Sequence, residues 1–192
     1  MKRKIILPLV LVLLLCGCSS GEETAFNRFR EELARAEEIT FTADVRAEYE
    51  DKTAEFTLSF AMQNDEYRME ILEPEIVRGI SARVKSGETH LEYDGAILDI
   101  GKLTDRGLCP MSALPYLLDA MRDAYADMTW TENGLLTVRL VPSDEMSVTL
   151  WLDEDNEPVN AEIIYKEKTV VFIEIHDWEM KVNEGPAEEN MG

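Results

Sequence analysis

Residues 41–49 and 54–62, with the sequences FTADVRAEY and AEFTLSFAM, determine the fold class of this chain. Apolar residues occupy every second position of the first stretch: Phe41, Ala43, Val45, Ala47 and Tyr49. The second stretch alternates in the same way from Ala54 to Met62. A period of two puts the apolar side chains of a strand on one face and the polar ones on the other. With Glu50–Lys52 as a turn, the two stretches predict an antiparallel hairpin with one dry face.

The same period recurs along the rest of the chain, with turn residues such as Asn64-Asp65, Asp94-Gly95 and Asn133-Gly134 between the segments. Nine further strands are predicted: 67–71, 80–84, 90–93, 96–100, 129–131, 135–141, 146–152, 159–165 and 170–178. About eleven strands at this spacing indicate a mainly β protein of the α+β class, with one large, strongly curved antiparallel sheet.

Two segments have the helical period instead. Apolar residues spaced by three and four (Phe26, Phe29, Leu33 and Ala36) predict an amphipathic helix that begins at a Ser20 to Glu23 capping box and ends near Glu38. A second helix after the sixth strand is predicted to be capped by Ser112 and to tolerate Pro115 in its first turn. Its apolar stripe contains Leu114, Leu117, Leu118, Met121 and Tyr125. The two helices are expected to cover the concave apolar face of the sheet.

The start of the chain predicts export. Lys2, Arg3 and Lys4 precede an apolar run, Ile5 to Leu15, which is shorter than the roughly 20 residues of a membrane-spanning helix. The following residues, LCGC at 15–18, resemble the bacterial lipobox, which implies cleavage before Cys18 and acylation of its thiol. Cys16 is a poor candidate because the preceding Leu15 is large. A plain signal peptide remains the alternative. Two acyl chains on Cys18 would hold the protein stably in a membrane.

These features divide the chain and locate it. We expect a signal peptide at 1–17, a lipidated tether at 18–24, a folded domain at 25–181 and a disordered acidic tail at 182–192. The expected location is the extracytoplasmic side of the cell membrane, with the membrane bound through Cys18.

Charge and cysteine content restrict the partners. Loss of the leader would lower the formal net charge from −20 to about −23. Such an acidic surface would be repelled by nucleic acid and by anionic lipid headgroups, so no nucleic-acid partner is expected. The charges are interpreted as a solvated face, with a basic partner as the alternative. Cys109 is left alone, so no intrachain disulfide is expected, and a small buried apolar residue is the preferred interpretation.

No motif predicts catalysis, a metal or a cofactor. His90 and His176 lie on separate predicted strands without another ligand at suitable spacing. The stretch from Gly79 to Arg83 lacks the second glycine of a nucleophile elbow. Asp153, Asp155 and Glu157 have the initial spacing of a calcium loop, but Pro158 stands where glycine is required, which favours a polar hairpin turn. The protein is therefore expected not to be an enzyme.

The order of several short motifs resembles the LolA/LolB family of bacterial lipoprotein carriers and receptors. They are Glu70–Pro74 followed by Gly79-Ile80, then Leu91–Gly95, and then Leu150–Asp153 followed by Glu157-Pro158. The resemblance implies a half-open β-barrel with a helical lid. Members of the family carry lipoproteins, bind lipoglycans, regulate sigma factors, or support germination by binding a cell-wall amidase. A tether at Cys18 favours a receptor or a fixed scaffold over a soluble shuttle.

Two functions follow as alternatives. In the first, the concave face is a cavity for a lipid, an acyl chain or a hydrophobic peptide, and the chain's nine methionines make it adaptable. The expected lining of that cavity is Phe41, Val45, Phe56, Leu58, Phe60, Met69, Ile71, Met111, Leu114, Leu118 and Met121. In the second, the same side chains fill each other's space as an ordinary core, and the protein is a non-enzymatic scaffold that binds an envelope protein by its outer surface.

Overall fold

The computed structural model describes residues 21–101 and 108–183. Its first six strands follow a helix, α1 (Gly21–Ala34). They are β1 (Ala36–Glu48), β2 (Thr53–Gln63), β3 (Glu66–Glu73), β4 (Ser81–Lys85), β5 (Glu88–Tyr93) and β6 (Ala96–Gly101). The second helix, α2 (Pro110–Asp123), comes next. The remaining strands are β7 (Tyr125–Glu132), β8 (Leu135–Ser143), β9 (Met146–Leu152), β10 (Pro158–Tyr165) and β11 (Lys168–Val182).

The eleven strands form one antiparallel sheet in the order β6-β5-β4-β3-β2-β1-β11-β10-β9-β8-β7. The first and last strands pair at its centre, from Ala36 opposite Val182 to Ala47 opposite Val171. Two meanders therefore extend in opposite directions from a central pair that joins the two ends of the domain. The predicted class, a curved and open antiparallel sheet with a leading helix and a helical insertion after the sixth strand, is confirmed.

One face of the sheet, called here the inner face, carries the apolar positions of the alternating strands. Ile39, Phe41, Ala43, Val45 and Ala47 of β1 are all buried. Across the sheet, the equivalent positions of β2, β3, β8, β10 and β11 are buried as well. Both helices lie on this face: α2 packs on β1, β2, β8 and β10, and α1 packs on β7, β11 and α2. The contacts of α2 reach strands on both sides of the centre, so the sheet curves around the helix.

The stripe predicted for α1 is largely confirmed, because Phe26, Phe29 and Leu33 are buried. The predicted end near Glu38 is wrong, since the helix stops at Ala34 and Ala36 already pairs with β11. The pairing partner lies at the far end of the chain, which no local pattern reveals. The helix begins at Gly21, among the residues that the sequence assigned to the tether; Ser20 lies outside the described residues.

Three expectations for α2 are wrong. The helix starts at Pro110 with Cys109 as the N-cap residue, and Ser112 lies inside the first turn, where its hydroxyl donates to the Cys109 carbonyl oxygen. Pro115 lies in the helix interior. Tyr125 does not continue the apolar stripe: it begins β7 and is 70% exposed. Proline at the first helical position needs no N–H partner, which explains why Pro110 rather than Ser112 marks the start.

A β-bulge in β11 changes which face its side chains occupy. Ile173 and Ile175 face the helices, and Asp177 then has a positive φ of 52°. Opposite it, Thr42 pairs with His176 while Thr40 pairs with Glu179, so β11 has one extra residue here. The bulge brings Trp178 to the inner face, where its ring stacks on Phe41 at 5.2 Å.

Candidate functional site

The structure brings together the residues predicted to line a cavity. Nine of them are no more than 5% exposed: Phe41, Val45, Leu58, Phe60, Met69, Ile71, Leu114, Leu118 and Met121. Phe56 and Met111 are half-buried and pack against this cluster. The rings of Phe41 and Phe60 stack at a centroid distance of 4.7 Å. The set forms the core between the sheet and the two helices, and a ligand at this face stays a prediction.

A polar contact fixes α2 to the sheet beside this core. The Tyr67 hydroxyl of β3 donates to Oδ1 of Asp119 at 2.6 Å. Burial raises the pKa of Tyr67, and the hydrogen bond to the Asp119 carboxylate raises it further. Burial also raises the pKa of Asp119, against the opposing effects of the Tyr67 hydrogen bond and of Arg122. The phenol therefore stays protonated at neutral pH and remains a donor to the helix.

Arg30 joins the two helices. Its Nε donates to the Met121 carbonyl oxygen at 3.0 Å, and its Nη2 donates to the Ala124 carbonyl oxygen at 2.7 Å. Both carbonyls lie at the C-terminal end of α2, where backbone acceptors have no partner within the helix. The guanidinium also lies 4.7 Å from the centre of the Phe26 ring. One side chain of α1 thus satisfies the end of α2 and holds it over the sheet.

The opposite face of the sheet, called here the outer face, has an open groove of about 760 Å³. We call it the outer groove. It is lined by Asp44, Val45, Arg46, Glu55, Phe56, Thr57, Glu73, Pro74, Asn133, Leu135, Trp151, Asn160, Ala161, Glu162, Phe172, Ile173 and Glu174. Two of the predicted cavity residues, Val45 and Phe56, border this groove as well as the core.

Two rows of paired residues build the outer groove. In the first row Thr57, Asp44, Glu174, Asn160 and Trp151 are successive partners from β2 to β9. The second row runs parallel to it and contains Glu55, Arg46, Phe172 and Glu162. Successive partners across a sheet project from the same face. Because the lining residues come from seven neighbouring strands, β3 to β8 in the order of the sheet, the sheet itself forms the floor of the groove.

Hydrogen bonds and ring contacts order several of these side chains. Thr57 Oγ1 donates to Asp44 Oδ1 at 2.6 Å, and His176 Nε2 lies 3.1 Å from Asp44 Oδ2. The Arg46 guanidinium lies over the Phe172 ring, 4.2 Å from its centre. The indole Nε1 of Trp151 donates to Glu132 Oε2 at 3.2 Å. The groove therefore presents oriented aromatic rings as well as carboxylates.

Sequence reasoning did not identify Leu135, Trp151 or Phe172 as site residues. A signal for two of them was present in the strand periods. Phe172 shares its phase with Glu174 and His176 of β11, which are exposed and half-buried. Trp151 shares its phase with Ser147 and Thr149 of β9. A large aromatic residue in the polar phase of a strand indicates a covered or binding surface on the second face.

Three further residues considered in the sequence, His90, Asp153 and Cys109, lie outside both the inner-face core and the lining of the outer groove. His90 lies on β5, opposite Arg83. The Asp153 carboxylate accepts the backbone N–H groups of Asp155 and Glu157, both at 2.9 Å, within the β9–β10 turn. The Cys109 thiol donates to the Ser112 hydroxyl at 3.4 Å.

Within 21–101 and 108–183 no group of three or more His, Cys, Asp or Glu side chains could hold a metal ion. In the same residues, no helix has the length and apolar character needed to cross a membrane. Cys18 lies outside the described residues, and so does the predicted tail from residue 184 onward.

Comparisons with known proteins show the fold. No protein-family model and no curated protein matches the sequence. An uncharacterised conserved protein from Thermus thermophilus is similar in structure, with a TM-score of 0.51 and 8% identity over 85% of this chain and 90% of that chain. The curved open sheet with two helices, which the family resemblance implied, is confirmed as the architecture of this chain.

Two further solved structures have lower scores. A LolA superfamily protein from Nitrosomonas europaea has a TM-score of 0.45 and 12% identity, over 84% of this chain and 94% of that one. The GerS lipoprotein complex with the CwlD amidase from Clostridioides difficile has a TM-score of 0.41 and 13% identity, over 87% and 96%.

Proposed function

We propose that this protein is a lipid-anchored, non-enzymatic binding scaffold on the extracytoplasmic side of a membrane. In this proposal the core between sheet and helices serves stability, and the outer groove holds an envelope protein. This favours the second of the two functions expected from the sequence.

The observation that carries the proposal is the contrast between the two faces. On the inner face, the side chains expected to surround a ligand are packed on one another, and Leu58, Met69, Leu114, Leu118 and Met121 have no exposed surface. On the outer face a groove of about 760 Å³ is open to solvent. Pockets for small ligands have volumes of about 300–1,000 Å³, so the groove has room for several side chains of a partner.

The membrane anchor rests on the sequence. Two residues, Ser19 and Ser20, separate Cys18 from Gly21, where α1 begins, so the anchor would lie within three peptide links, or about 10 Å, of the folded domain. Glu22 of α1 accepts a hydrogen bond from Thr131 of β7 at 2.8 Å, close to the Asn133 and Leu135 end of the outer groove. A tethered domain would therefore present that end of the groove near the bilayer. Palmitate labelling that disappears in Cys18→Ala cells is expected; label that persists would contradict the anchor.

Photo-crosslinking in cells tests the scaffold. We would place benzoylphenylalanine at Leu135, which borders the groove, and at Glu88 on β5 as an exposed control outside it. The proposal expects one discrete adduct from Leu135 and none from Glu88 after irradiation. Adducts of equal yield from both positions, or none from Leu135, would contradict a partner in the groove.

The lipid-carrier alternative requires the inner face to open. Four methionines, Met62, Met69, Met121 and Met146, are buried in that core, and such side chains adapt readily to a guest. Opening of the inner face by movement of α2 away from the sheet would break the contacts of Tyr67 and Arg30. The carrier function stays a prediction.

A further inference from the structure

We infer that the outer groove binds an extended, positively charged protein segment in which apolar side chains separate the basic ones. The inference rests on the proposed scaffold function, because it names the class of partner at the same site. It is carried by the charge of the groove, by its aromatic rings and by its length.

The charge of the groove is strongly negative. Five carboxylates line it (Asp44, Glu55, Glu73, Glu162 and Glu174) against one guanidinium, that of Arg46. Glu73 is paired with Arg78 at 2.7 Å. In the part of the chain that the structure describes, Glu55 and Glu174 form no ion pair. A segment with lysine or arginine would supply the missing partners, whereas an acidic or phosphate-bearing ligand would be repelled.

The aromatic rings of the groove add a second preference for cations. The Arg46 guanidinium lies 4.2 Å from the centre of the Phe172 ring, so a cation–π contact already exists on the outer face within this chain. The Trp151 ring is oriented by its hydrogen bond to Glu132. Indole and phenyl faces attract ammonium and guanidinium groups and also pack against apolar side chains. Leu135 and Pro74 extend the apolar surface at the two ends of the groove.

The length of the groove indicates an extended occupant. The floor between β2 and β8 crosses five spacings between neighbouring strands, and Glu73 and Pro74 border the groove beyond β2. At about 4.8 Å for each spacing the groove is roughly 24 Å long. An extended chain advances about 3.3 Å per residue, so about seven residues would occupy it. A single amino acid or a small amine would fill only a fraction of this surface.

A defined peptide tests the inference. The probe is a fluorescein-labelled heptapeptide in which four lysines alternate with leucine, proline and leucine, and the matched probe replaces every lysine by glutamate. Fluorescence anisotropy is measured with the full-length protein extracted in a nonionic detergent. We expect the lysine peptide to bind and the glutamate peptide not to bind. The double variant Glu55→Gln/Glu174→Gln should weaken binding about 5-fold, since each exposed charge pair contributes up to ~1 kcal/mol.

The control has the same change in net charge away from the groove. Glu88 and Glu92 are exposed on β5 and lie outside the groove lining. The variant Glu88→Gln/Glu92→Gln is expected to bind the lysine peptide as the unchanged protein does. A third variant, Trp151→Leu, should weaken binding about 3-fold through loss of the indole ring that lines the groove. Thermal unfolding of each variant shows whether it is folded.

Two outcomes would overturn the inference. Equal weakening by the two double variants would show a general attraction to an acidic protein, and a lack of binding by the lysine peptide would exclude this class of partner. The crosslinking experiment separates this failure from that of the scaffold. If the peptide does not bind but Leu135 still forms its adduct, the partner class is wrong and the scaffold stands. If the adduct is absent too, both fail.

Discussion

At the scale of single residues, the connection between the helices depends on Arg30. Its guanidinium donates to two carbonyl oxygens at the end of α2, at 3.0 and 2.7 Å. Hydrogen bonds from charged donors contribute about 1.5–3 kcal/mol each where they are partly buried. Burial lowers the pKa of Arg30 and the carboxylate of Asp123 opposes that shift.

We expect Arg30→Ala to lower the free energy of unfolding by about 2 kcal/mol, because it leaves the Met121 and Ala124 carbonyls without these donors. Arg28→Ala is the matched control: Arg28 lies on the same helix and is exposed, so its loss should change stability by less than about 0.5 kcal/mol. Urea denaturation of both variants gives the comparison. Equal effects would show that Arg30 does not hold α2.

The Tyr67 hydroxyl gives a prediction that depends on pH. Its pKa is raised by burial and by the bond to Asp119, so the folded chain keeps this proton more tightly than the unfolded chain. The unfolded chain releases the proton near pH 10, and stability from this group is therefore present below that pH and is lost above it. Near pH 7, Tyr67→Phe should destabilise by about 1 kcal/mol.

Above pH 10 the difference between the unchanged protein and Tyr67→Phe should decrease. Urea denaturation at pH 7, 9 and 10.5 measures it. Tyr93→Phe is the control, because Tyr93 is 52% exposed and its substitution should have little effect at any of these pH values. A difference that is constant or that widens with pH would contradict the stabilising role of the Tyr67–Asp119 hydrogen bond.

At the scale of the elements, the bulge in β11 decides how the inner face closes. Asp177 is the extra residue, and it turns Trp178 toward the rings of Phe41 and Phe29, at 5.2 and 6.5 Å. A shift of one residue in a strand exchanges its two faces. Without the bulge, Trp178 would lie on the outer face.

Deletion of Asp177 should therefore lower the free energy of unfolding by about 3 kcal/mol, the lower end for loss of a large aromatic contact in a core. The near-ultraviolet circular dichroism of the tryptophan should change with it. Asp177→Gly keeps the residue count and suits the positive φ of 52°, so it should retain both stability and spectrum. An unchanged spectrum after the deletion would mean that the bulge does not position Trp178.

Local patterns predicted the strands well where one face is dry. The alternation in β1 and β2 needed no information from elsewhere in the chain, and their pairing from Glu38 opposite Gln63 to Glu48 opposite Thr53 follows from a short turn. The bulge in β11, which changes the phase between Ile175 and Trp178, was not predicted, because 170–178 was expected to form one regular strand. By contrast, the sequence predicted only residues 129–131 of β7 as a strand, because Tyr125 continues the helical spacing of α2.

The outer groove could not be predicted in this way, because it depends on pairing between distant segments. Its two rows of residues need β1 beside β11, and these strands lie at opposite ends of the domain. The polar phase of each strand is predicted only as facing solvent. Whether Phe172 lies next to Arg46 is decided by the register of that central pair, which no local pattern specifies.

At the scale of the whole molecule, the inner face of the sheet serves stability and the outer face is proposed to bind a partner. On the inner face, which curves around α2, the apolar residues of the strands are buried and form the core. The outer face carries most of the carboxylates of these strands, together with Trp151 and Phe172, which occupy polar positions of β9 and β11. Stability and binding are thereby placed on opposite sides of the same strands, so outer substitutions such as Glu55→Gln and Glu174→Gln should leave folding intact.

The most direct test of the closed inner face is native mass spectrometry of the Cys18→Ser protein, exported to the same envelope and purified without detergent. We expect the mass of the polypeptide alone, because packed side chains such as Leu114 and Leu118 occupy the face where a lipid would lie. One lipid molecule per chain, retained through purification and released on unfolding, would contradict it.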